Sequence, residues 1–142
     1  HNVLCVGGGV SIDRRVRMEN NARYAGKTTA FYWENEMPVF DEEKIQEISD
    51  NLRIDTVVPH TPPSFCPLQE KSFLKSWAAR DPELLGDCDK EREIMDKIFN
   101  ALIGNGHPLQ TWYYGHFHQT YQNLRDGMMF RMLDELELVE IR

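Results

Sequence analysis

Gly115-His116-Phe117-His118 follows directly on the apolar run Thr111-Trp112-Tyr113-Tyr114. An extended chain advances about 3.3 Å per residue and alternates faces, so imidazoles at i and i+2 of a strand end project the same way, roughly 6 to 7 Å apart at their roots. Two metal ions about 3.5 to 4 Å apart could each take one of them, as in two-metal hydrolytic sites. Against this stands the reading of His116 and His118 as ordinary surface histidines. A third histidine, His60, closes the β-branched stretch Asp55-Thr56-Val57-Val58-Pro59 before Thr61-Pro62-Pro63 stops it. Ligands gather at the carboxyl edge of strands in α/β sheets, which makes His60 a further candidate. Arg14, Arg15 and Arg17 form a short basic cluster that could contact a phosphate or simply lie in a solvated loop; Arg17 is the candidate substrate-binding residue.

The elements that must position these groups are readable in outline. Val3 to Val6 reads as a buried strand running into Gly7-Gly8-Gly9, where glycine permits a sharp turn or close backbone approach. Neither G-x-G-x-x-G nor a P-loop Lys and Ser/Thr follows, which argues against a nucleotide cradle. Val10 to Ile12 reads as a second short strand and Asp13 to Lys27 as a polar loop. Phe31-Tyr32-Trp33 beside Glu34 and Glu36 is read as a packed loop base. Asp41 caps a helix over Glu42 to Leu52, with Ile45, Ile48 and Leu52 at helical spacing. Ser64 to Asp89 reads as an irregular excursion with a helical turn around Phe73 to Ala78, and a second helix runs from about Asp89 to Ile103, closed by Gly104. After the strand Gln110 to Tyr114, the tail reads as a hairpin turning at Asp126-Gly127 and a final strand over Leu136 to Ile141.

With 142 residues, 41% hydrophobic and 27% charged, the chain suits one domain with a real core. A net charge of -7 with dispersed basic residues argues against a nucleic-acid partner. Cys5, Cys66 and Cys88 are odd in number and widely spaced, which suits reduced thiols in a cytoplasmic compartment. No apolar run reaches the roughly 20 residues that span a bilayer, so no membrane partner is expected. A chain that opens inside a strand suggests truncation.

In motif order and spacing the chain resembles the C-terminal half of the calcineurin-like metallophosphoesterases. The carriers are Val3 to Gly9 running into Ser11 and Asp13, the strand-end His60 in Val58-Pro59-His60-Thr61, and Gly115-His116-Phe117-His118. The resemblance implies an α/β fold, half of a two-sheet αββα sandwich with mixed sheets and flanking helices, with residues 1–142 as the C-terminal portion of a single domain. It implies that His60 and His116 ligate one divalent metal ion and His118 a second (Mn, Zn, Fe or Mg), in a phosphatase or phosphodiesterase that activates water for in-line attack on phosphorus. The family's Asp-x-His, Gly-Asp-x-x-Asp and Gly-Asn-His motifs are missing, so the catalytic residues are unknown from this chain. Gly86-Asp87-Cys88-Asp89 reads as a helix lead-in and Gly104-Asn105-Gly106-His107 as a helix C-cap, not as displaced versions of those motifs. Half a sandwich exposes an inner sheet face, so a dimer or the missing N-terminal half is expected to cover it. The alternatives are a catalytically inactive interaction domain of the same fold and an unrelated α/β domain holding one zinc.

Overall fold

The computed structural model describes residues 1–27, 30–67 and 74–141. Four short strands, β1 (Val3–Val6), β2 (Thr56–Pro59), β3 (Thr111–Tyr114) and β5 (Met128–Met132), run parallel, and β4 (Tyr121–Arg125) joins β5 antiparallel, in the order β1-β2-β3-β5-β4. The fold is thus α/β with one mixed five-stranded sheet and flanking helices: α1 (Arg14–Arg23), α2 (Glu42–Asn51), α3 (Leu74–Ala78) and α4 (Leu84–Gly104).

Register explains where the core lies. Leu4, Val57, Trp112 and Phe130 stand side by side across the sheet, and alternation puts Tyr114 and Met132 on the same face. Against that face α2 lays Ile45 and α4 lays Met95, Ile98 and Leu102, forming the main apolar cluster. Phe65, Phe99, Trp112 and Phe130 stack in edge-on and tilted contacts at its centre. The opposite face carries Val3, Cys5, Val58, Tyr113, Met129 and Leu124. There the segment after β5 runs past Tyr113, Met129 and Arg131, fixed by Glu137 accepting from Arg131 at 2.7 Å. Val3 and Leu124 on this face and Leu138 on the segment stay exposed.

Several sequence expectations change. Val10 to Ile12 is loop and not a strand; the Val10 N–H is bonded to a carboxylate of α4 instead of a neighbouring strand. Residues read as a polar loop after Asp13 form α1, whose polarity follows from its having no buried residue. The second helix begins at Leu84, so Gly86 to Asp89 lies within it, and Asp87 is spent on its first turn. Phe73 lies outside the described residues, while Leu74–Ala78 is helical as expected. Leu136 to Ile141 forms no strand, and Leu136 is almost fully exposed with φ 59°. Trp33 is exposed, and Phe31, at the surface, makes its only ring contact among the described residues with Tyr24, at 6.1 Å. β1 is a rim strand with alternating exposure, not a buried one.

The cap and turn expectations are met. Asp41 Oδ1 accepts from Lys44 N at 2.9 Å as the cap of α2. Asp126 and Gly127 both take positive φ in the β4–β5 turn, as a two-residue hairpin requires. All three cysteines are free. Among the described residues no helix is long and apolar enough to cross a membrane.

His107 belongs to the fold. Ile54 N donates to its Nδ1 at 2.9 Å, so the proton sits on Nε2, 2.8 Å from Ser49 Oγ. Burial, and then the nearby Arg53 charge, hold its pKa below the ordinary value. A histidine kept neutral in the fold contributes stability that is present above the unfolded pKa of about 6.5 and lost as pH falls below it. At neutral pH His107→Leu is expected to cost about 2 kcal/mol by stranding the Ile54 N–H. In urea unfolding, the gap between the two proteins should shrink between about pH 7.5 and about pH 5. A constant gap would contradict this account.

Candidate functional site

Because β2 and β3 are parallel neighbours, their carboxyl ends meet at one edge, and Gly115 N donates to His60 O at 3.1 Å just beyond them. This brings His60 and His116 together: His116 Nδ1 lies 2.8 Å from His60 Nε2, with the rings edge-on at 4.6 Å. The Gly115 to His118 segment is not an extended continuation of β3. The strand stops at Tyr114, and both His116 (φ 72°) and His118 (φ 50°) take left-handed backbone, with Phe117 N bonded to Gly115 O at 2.9 Å. Phe117 turns into the core while the two histidines turn out, so the simple i, i+2 alternation gives way to a bend.

The histidines differ in setting. Burial, reinforced by the neighbouring imidazoles, pushes His116 down to about 4. His60 is lowered too, first by shielding and then by His118. Both rings are therefore neutral at pH 7, the form whose nitrogen lone pairs bind metal. His118 is exposed and pairs with Glu135 at 2.6 Å, so it shares the cavity without touching the other two.

A cavity of about 340 Å³ opens over this edge, lined by the three histidines together with Asp13, Arg17 and Trp77. Of the basic cluster, only Arg17 lines it, its Nε held by Asp13 Oδ1 at 2.6 Å. Arg14 instead grips Asp81 through Nε (2.6 Å) and Nη2 (3.1 Å) and Asp87 through Nη1 (2.7 Å). Arg15 reaches only to within 3.8 Å of Asp81.

The glycine loop forms the cavity floor. A Cβ on Gly9 would stand 2.3 Å from His60 Cδ2, so glycine is what allows the loop to lie on the imidazole. Two carboxylates fix the loop there. Glu36 Oε1 and Oε2 accept from Ser11 N and Oγ, both at 2.7 Å, and its carbonyl accepts from Gly9 N at 2.7 Å. Glu91 Oε2 accepts from Val10 N at 3.0 Å.

Glu91 is 1% exposed, and burial raises its pKa to about 7 despite the Val10 bond. The Thr61 hydroxyl beside His60, buried with it, acts with the Val10 N–H to hold that rise back. The sequence held a signal for it: Glu91 falls on the apolar stripe of α4 with Leu84, Met95, Ile98 and Leu102, where an acid is out of place. Arg92, next along, donates through Nη2 to the carbonyls of Pro63, Ser64 and Cys66, shaping the loop that follows His60.

Two converging neutral imidazoles suit a Zn, Mn or Fe ion. Among the described residues no group of three or more His, Cys, Asp or Glu stands close enough to hold one, so the donors present fit a metal in part. No family model matches the chain and no curated protein matches it closely enough to assign a relative.

Proposed function

We propose that this chain is the C-terminal part of a metal-dependent phosphoester hydrolase of the calcineurin-like metallophosphoesterase type. The observation that carries the reading is the convergence of His60 Nε2 and His116 Nδ1, 2.8 Å apart, at the carboxyl edge of a parallel sheet. His60 and His116 would hold one divalent ion, and His118, released from Glu135, a second. Two such ions supply Lewis-acid neutralisation of phosphoryl oxygens and activation of water.

The chain's own residues do the rest. Depressed pKa values keep the His60 and His116 rings neutral at pH 7, so a metal ion would displace only the proton shared between His116 Nδ1 and His60 Nε2. The Gly9 loop, tied down by Glu36 and Glu91, keeps the His60 ring in place. Arg17, which lines the same cavity, offers a cation to an anionic substrate oxygen. The two-sheet sandwich is part of the same proposal. Parallel strands are normally covered on both faces, and the apolar face bearing Val3, Val58, Tyr113 and Met129 is suited to a second sheet from an N-terminal half.

The test uses the full-length protein loaded with manganese. It should hydrolyse an aryl phosphate, and His116→Ala should remove about half of the bound manganese without lowering the melting temperature. Metal retained by the variant, together with no hydrolysis by the parent, would sink the proposal. Bound metal without turnover would point to an inactive scaffold of the same fold.

A further inference from the structure

Besides the histidines, the cavity is lined by Arg17, already a candidate from the sequence, and by Trp77, which carries no sequence signal. α1 contributes Arg17, and α3 contributes Trp77. Their relative placement is fixed by the Arg14 clamp. Arg14, one turn before Arg17, grips Asp81, and Asp81 N in turn donates to Trp77 O at 3.2 Å. Asp81 is 2% exposed, so this joint is a buried one that holds α1 and α3 as one wall.

Two features of that wall point to a ligand. Arg17 uses Nε on Asp13, and its terminal nitrogens have no protein partner among the described residues, which leaves them for an anion. Trp77 is only half-buried, and among the described residues its indole makes no ring contact and no hydrogen bond. A large unpartnered aromatic on a cavity wall is a stacking surface for a planar group. The cavity, about 340 Å³, lies at the small end of the range for small-molecule sites.

We infer that the ligand of this cavity is a phosphoester whose organic group is planar and aromatic or heterocyclic, its phosphoryl oxygens between Arg17 and the histidines and its ring on Trp77. The inference rests on the phosphoester reading above and adds to it the class of the leaving alcohol. It makes Trp77 a specificity residue: the histidines serve any phosphoester, whereas the indole selects among them.

Phenylphosphonate and ethylphosphonate present the same anion with and without a ring, and neither is hydrolysed. Calorimetric titration of the full-length, manganese-loaded protein should find phenylphosphonate bound about tenfold tighter. Trp77→Ala should erase that ratio, Trp77→Phe should keep most of it, and Trp33→Ala, at an exposed indole off the cavity, should leave it unchanged. Because Trp77→Phe preserves an aromatic ring and its packing, it guards against reading a folding defect as lost stacking. Equal binding of the two probes, no binding of either, or a preference that survives Trp77→Ala overturns the inference. A Trp77-dependent preference in a protein that cleaves no phosphoester would leave the stacking site standing and remove the catalytic reading. Cleavage of phosphoesters with no ring preference would do the reverse.

Discussion

Gly9→Ala is expected, on the hydrolase proposal, to lower phosphoester hydrolysis by the full-length protein about a hundredfold while leaving its melting temperature nearly unchanged. The added Cβ would stand 2.3 Å from His60 Cδ2 and 3.1 Å from Cγ, far inside van der Waals contact. Something must move. The loop is held by Glu36 and, one residue on, by Glu91, so the imidazole yields first. Turning that ring lengthens the 2.8 Å approach to His116, and a shift of about 1 Å in a reacting constellation is enough for a loss of this size. Gly7→Ala is the control, since a Cβ there meets nothing within 4 Å. Steady-state kinetics beside thermal melts decide the matter. Full activity in Gly9→Ala would mean that the ring relaxes without consequence.

The second large effect is on stability. Arg14→Met should destabilise the fold by about 2 to 4 kcal/mol, because it leaves the carboxylate of Asp81, 2% exposed, with only the Glu83 N–H and the more distant Arg15 at 3.8 Å. Asp87 is less affected, since Lys90 Nζ also reaches it at 2.9 Å. The sign of the pH dependence follows from Asp81. Its bond to Arg14 holds its pKa below the ordinary carboxylate value, so its contribution is present above the unfolded pKa of about 3.9 and is lost as pH falls through the folded one. Urea unfolding should therefore show a wide gap between the parent and Arg14→Met at neutral pH that narrows in acid. A neutral-pH gap under about 1 kcal/mol would place the pair with ordinary surface bridges.

Much of the site's scaffold was legible because it depends on strong local signals. Pro62 and Pro63 end a β-branched run after His60, and Gly115 ends another before His116, so both histidines were assigned to strand ends. Their convergence followed from parallel pairing, which periodicity cannot supply. What was illegible depends on distant partners. α1 shows almost no amphipathic pattern, because it is held by Arg14 and the Asn21 contacts to the 31–32 backbone instead of by an apolar stripe. Leu136 to Ile141 alternates as a strand should, yet Glu137 pins the chain by accepting from Thr120, Arg131 and the Asp134 N–H, and no ladder forms. Glu91 could be picked out as an anomaly on α4, but its bond to Val10, 81 positions away, could not.

The left-handed backbone at His116 and His118 sets the site against the fold that carries it. Such a conformation costs about 1 to 3 kcal/mol for residues other than glycine, and asparagine or glycine would adopt it with less strain. A population of variants screened for heat resistance alone would drift towards those residues at both positions. On the hydrolase proposal the imidazoles are required at both positions, so a second screen that also demands hydrolysis should keep both histidines where the heat screen alone loses them.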